Sequence, residues 1–145
     1  MSLSPRQDLS ILIGLHDQDL LEWSKLSAES DGFSVYTSSC LEKMKALLGE
    51  RNYAGYLMDL NLRHNGRIDV LDITPAKDVY ASVRWRVEHD EAIFRGVSGR
   101  YEVVEAALGE KIPAEIKPFD ILPFLHRCQE VRGQAKSPHL KVVKR

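Results

Sequence analysis

Three polar residues stand where candidate strands end. Asp59 lies near the end of Tyr53 to Leu60 (YAGYLMDL), Ser98 follows Ala92 to Val97, and Lys117 follows Ala114 to Ile116. Singly, each has an ordinary reading: an aspartate that forms a turn, a strand-end serine, a solvated lysine. In the order acid, hydroxyl, lysine on successive strands, they bring a carboxylate, a hydroxyl and an ammonium group to one sheet edge. Leu15-His16-Asp17 occupies the equivalent place after the first apolar run. Other chemistry finds little support. His16, His64, His89, His126 and His139 show no metal-ligand spacing, and no Ser-His-Asp arrangement can be argued. Neither GxGxxG nor GxxxxGK is present, so there is no dinucleotide or P-loop cradle. Cys40 and Cys128 lie far apart and outside any CxxC pair, and are expected to be reduced and structural.

The elements that must position these groups follow from periodicity. Leu9 to Leu15 (LSILIGL) is a nearly unbroken apolar run of strand length, as expected for a strand covered on both faces. Asp19 to Ser30 reads as a helix that Gly32 stops. Phe33, Val35 and Thr37 alternate as a second strand, and Ser39 with Glu42 matches a capping box for a helix carrying Leu41, Met44 and Leu48. After the third strand, residues 61–73 hold a turn signal at Asn65-Gly66 and are expected to form an extended or irregular loop. Thr74-Pro75 then reads as an N-cap with proline in the first helical position. Ala76, Val79, Tyr80, Val83 and Val87 give that helix its buried stripe. Tyr101, Val104 and Leu108 mark a short helix stopped by Gly109. Asp120 can cap a last helix that buries Ile121, Phe124, Leu125, Cys128 and Val131, with Pro123 tolerated in its first turn.

Strand and helix therefore alternate five times, which predicts a doubly wound α/β fold: a five-stranded parallel sheet with helices on both faces. Ligands bind such sheets outside the carboxyl ends of the strands, the edge that Asp59, Ser98 and Lys117 would line. The 145 residues, 43% hydrophobic and 28% charged, suit one globular domain and exclude a disordered or disulfide-dense chain. No apolar stretch is long enough to span a bilayer and the N-terminus lacks a signal-peptide core, so the expectation is a cytoplasmic protein. The net charge of −1 is uneven: Lys136, Lys141, Lys144 and Arg145 face no acid in residues 133–145. The expected organisation is a tail at 1–8, a domain at 9–132 and a basic tail or linker at 133–145. No direct nucleic-acid or membrane binding is expected of the domain.

With YLMDLNL around Asp59, VSG around Ser98 and IKPFD around Lys117, residues 9–132 resemble the receiver domain of bacterial two-component response regulators. The resemblance implies strand order 2-1-3-4-5 and a cis Lys117-Pro118 bond. It implies that Asp59 accepts a phosphoryl group from a sensor histidine kinase or phosphotransfer protein. Ser98 would hydrogen-bond the phosphoryl oxygens and Lys117 would pair with them. It further implies Mg²⁺ as cofactor, on Asp59 and the main-chain carbonyl of Asn61. The output domain would lie outside this chain, the domain would act as a switch rather than an enzyme, and homodimers could form through the last helices. The chemistry is coherent, because phosphoryl transfer needs an in-line nucleophile and cations that neutralise the equatorial oxygens.

The chain departs from that pattern after its first strand. Receivers carry an acidic pair there, whereas here Leu15 and His16 stand in those places and Asp17 comes one residue later. Imidazole is a poor Mg²⁺ ligand, so either Asp17 reaches in or the metal is held weakly. Ala114 replaces a frequent aromatic, Arg63 replaces a frequent proline, and the spacing from Asp59 to Ser98 places an insertion around residues 62–74. These departures keep open a second reading, a pseudo-receiver acting as a phosphorylation-independent interaction module.

Overall fold

The computed structural model describes residues 9–135. β1 (Ser10–Gly14), β2 (Ser34–Ser38), β3 (Gly55–Asp59), β4 (Ile93–Ser98) and β5 (Ala114–Ile116) form one parallel sheet in the order β2-β1-β3-β4-β5. The helices are α1 (Gln18–Ser30), α2 (Leu41–Leu48), α3 (Thr74–Glu88), α4 (Tyr101–Gly109) and α5 (Ile121–Ala135). This is the expected architecture, with the cis Lys117-Pro118 bond also present. α5 continues past the boundary expected at 132, while residues 1–8 and the tail beyond Ala135 lie outside the described residues.

Both faces of the sheet are covered because the strands are apolar on both sides. Every residue of β1 and β3 is buried. Ile11, Ile13 and Leu57 pack with Leu21 and Ala28 of α1 and with Ile121, Phe124, Leu125 and Cys128 of α5. Leu12, Tyr56 and Met58 point the other way, onto Met44 of α2, Val79 and Val83 of α3, and Val103 and Val104 of α4. The period-two alternation of strand side chains thus assigns the two helix layers. No helix among the described residues is long and apolar enough to cross a membrane.

Three local expectations need correction. The capping box does not form: Cys40 holds the N-cap position of α2 and makes no side-chain cap bond. Instead, the Leu41 N–H donates to the Arg63 carbonyl at 2.7 Å, and the Glu42 carboxylate accepts from the Asn65 N–H at 2.7 Å. The loop after β3 has taken over both partners. Thr74 is likewise the first residue of α3 rather than its cap, and its N–H is met by Asp72 Oδ1 at 2.9 Å. On α4 the buried face is Val103, Val104 and Ala107, leaving Tyr101 and Leu108 exposed. Residues 61–73 form the irregular loop expected, with turns and one isolated bridge but no helix or strand. His64 and Arg67 exchange two backbone hydrogen bonds across Asn65 (φ 53°) and Gly66 (φ 75°), a tight turn that needs positive φ at both central residues. Leu62 is fully buried, and Asn61 Nδ2 donates to the Asp69 carbonyl at 3.3 Å.

Candidate functional site

Parallel register brings the predicted residues to one edge. Asp59 is the last residue of β3 and pairs with Val97, one residue before Ser98 at the end of β4. Ser98 pairs with Ile116, and its carbonyl accepts from the Lys117 N–H at 2.8 Å. Three successive strands thus deliver an acid, a hydroxyl and a lysine to the same side of the fold.

The Asp59 side chain is 1% exposed, and the chain itself supplies its partners. Lys117 Nζ lies 2.7 Å from Oδ1, a charge contact whose angles fall outside those of a hydrogen bond. The main-chain N–H of His16 donates to Oδ2 at 2.9 Å, and His16 Nε2 lies 3.3 Å from the same oxygen. A carboxylate this deep costs several kcal/mol unless paired and hydrogen-bonded, and here both oxygens are engaged. Ser98 is 4% exposed, with Oγ accepting from the Arg100 N–H at 3.1 Å. A hydroxyl that accepts one bond keeps its own hydrogen to donate.

The first strand's contribution differs from what an acidic pair would supply. Leu15 is fully buried in the core beneath the edge. Asp17 is exposed and caps α1, with Oδ1 accepting from the N–H groups of Asp19 and Leu20 at 3.0 and 3.1 Å. Asp17 therefore does not join Asp59. His16, which local sequence leaves readable as a plain loop residue, is the member that does. The signal for it lay in register, since Gly14 pairs with Met58 and the residues that follow β1 therefore meet Asp59, the last residue of β3, at the edge.

A Mg²⁺ site asks for oxygen ligands in near-octahedral geometry, usually including one or two carboxylates. At this edge the Asp59 carboxylate is already engaged at both oxygens. Among the described residues no group of three or more His, Cys, Asp or Glu could hold a metal ion. The donor set does not fit a resident divalent cation.

No family model matches the sequence, and no curated protein matches it. Solved structures do match. A CheY-like response regulator receiver domain protein from Methanospirillum hungatei superposes with a TM-score of 0.65 at 17% identity, covering 90% of this chain and 98% of that one. The chain has the receiver fold. A two-component response regulator from Clostridium difficile matches with a TM-score of 0.65 at 16% identity, over 89% and 99% of the two chains. A streptococcal protein described as a redox sensor evolved from two-component response regulators shares the fold with a TM-score of 0.65 at 13% identity. That match covers 92% of this chain and 55% of that one. Within the receiver fold of this chain, Cys128 is fully buried in the core, and burial pushes its thiol well above the usual range. A thiol in that state is a poor nucleophile.

Proposed function

We propose that this chain is a signalling receiver that accepts a phosphoryl group on Asp59 from a histidine kinase or phosphotransfer protein, and so switches a partner or output domain. The observation that carries the reading is Lys117 Nζ at 2.7 Å from a buried carboxylate at the end of the central strand. An Asp59 oxygen would attack phosphorus in line as the donor's phosphorus–nitrogen bond breaks. Lys117 would then move from the carboxylate to the phosphoryl oxygens. The Ser98 hydrogen would be drawn to the same oxygens. Ser98 also accepts from Arg100, which immediately precedes α4, so the pull would be passed to that helix.

The surface beyond that helix suits a partner. Tyr101 and Leu108 on α4, Ile116 on β5 and Leu122 on α5 are large apolar side chains left exposed. On this reading the protein is a cytoplasmic switch rather than an enzyme, and either an output domain or a second copy would meet that face. Intact-protein mass spectrometry after treatment with acetyl phosphate tests the reading. One phosphoryl adduct is expected on the wild type and none on Asp59→Asn. An unmodified wild type would overturn it and leave an interaction module that does not use phosphorylation.

A further inference from the structure

The geometry points to a site that works without a divalent cation: His16 stands where a metal and its acidic ligands would hold Asp59, and with Lys117 it occupies both oxygens of the carboxylate. This deepens the phosphoacceptor reading and rests on it only for the transfer step. Three observations carry it. Leu15 is committed to the core at 0% exposure, so that position supplies no ligand. Asp17 caps α1, with Oδ1 accepting from two N–H groups of that helix, and is exposed to solvent. His16 donates its main-chain N–H to Asp59 Oδ2 at 2.9 Å and brings Nε2 within 3.3 Å of the same oxygen without a hydrogen bond, while Lys117 meets Oδ1.

A divalent ion entering here would have to displace the His16 contacts or the lysine, and it would gain a single carboxylate in return. Hard cations bind nitrogen donors weakly and lose affinity with each missing anionic oxygen. The buried negative charge is instead balanced by groups the chain always carries. The transfer from acetyl phosphate then balances without a metal: an Asp59 oxygen forms a bond to phosphorus as the phosphorus–oxygen bond to acetate breaks. Acetate leaves with that electron pair, and Lys117 follows the charge onto the new phosphoryl group.

Two measurements on the full chain test this. In calorimetric titration with MgCl₂, wild type should show no saturable heat. His16→Asp, which sets a second carboxylate beside Asp59, should bind Mg²⁺ tighter by on the order of tenfold or more. That gain is the attraction of one added unit charge for a divalent ion at about 4 Å, even at the dielectric of water. In the second measurement, the wild-type phosphoryl adduct should form equally fast in excess chelator and in millimolar Mg²⁺. Saturable Mg²⁺ binding by the wild type that disappears in Asp59→Asn would overturn the proposal, as would an adduct that needs Mg²⁺. A folded His16→Asp chain that binds Mg²⁺ no better than wild type would overturn the place given to His16. If wild type takes no phosphoryl group in either buffer, the phosphoacceptor reading fails, and the titration still decides the metal question by itself.

Discussion

Lys117→Met deletes one charge at the sheet edge while keeping an apolar side chain of similar length. At 2.7 Å, two unit charges attract by about 6 kcal/mol at an effective dielectric of about 20. That gross figure is reduced because both groups are well hydrated in the unfolded chain, and because the lysine side chain keeps 23% exposure. Removing one partner of a fully buried pair costs about 3–5 kcal/mol, whereas exposed pairs contribute below about 1 kcal/mol. A pair with one partner buried and one half-wet falls between them, so Lys117→Met should cost about 2–3 kcal/mol. A double-mutant cycle with Asp59→Asn isolates the pair. Asp59→Asn removes the buried charge first, so adding Lys117→Met should then cost little, leaving a coupling of about 2 kcal/mol. Urea unfolding of the four proteins at neutral pH measures it. Moderate salt should change the coupling only slightly, because a buried partner is poorly screened. With all four proteins folded, a coupling below about 0.5 kcal/mol would refute the pair as described.

Further expectations follow from particular contacts. Asp17→Ala should cost about 1 kcal/mol through the lost cap of α1, measured by urea unfolding, and should leave Mg²⁺ titration heats unchanged. Gly55→Ala should destabilise by about 1–3 kcal/mol, because a Cβ there would run into Cys128 Sγ and Phe124 Cζ; adding Cys128→Ala should recover part of the loss. Burial pushes the Tyr53 phenol from 10.0 up to about 12, so the folded chain holds this proton more tightly than the unfolded chain. The stability this provides is fully present below pH 10 and is lost as pH rises toward 12. Tyr53→Phe should lack that part of the alkaline loss, and superimposable alkaline melting profiles for the two proteins would contradict it.

What was legible in the sequence was whatever local order determines. β3 is covered on both faces and reads as a continuous apolar run that ends on Asp59, whereas Arg95 and Glu115 interrupt β4 and β5, so Ser98 and Lys117 were legible from the alternation of strands with helices. The buried face of α5 was legible too, because Ile121, Phe124, Leu125, Cys128 and Val131 recur at spacings of three and four, with Leu122 the exposed exception. α4 was not. It is a nine-residue helix with apolar side chains all round, and close packing chose the small Ala107 over Leu108 for the inner face. The capping box at Ser39 failed because the competing partners, Arg63 and Asn65, come from a loop more than twenty residues away. Within that loop, Asn65-Gly66 was readable as a turn. The buried Leu62 and the bond from Asn61 to Asp69 depend on the assembled sheet.

The same distinction explains the first-strand end of the site. Leu15, His16 and Asp17 look in sequence like an acidic pair that has been lost. In the structure each has a definite role, with Leu15 filling the core, Asp17 capping α1, and His16 reaching a carboxylate 43 residues along the chain. Loss of a bound cation with nothing in its place would leave the buried Asp59 charge short of partners, at a cost of several kcal/mol. Here the His16 main-chain N–H meets one oxygen of that carboxylate and Lys117 meets the other. Under the metal-free proposal, the departure from the usual receiver pattern exchanges one means of holding Asp59 for another, which is why metal binding and phosphoryl acceptance have to be measured separately.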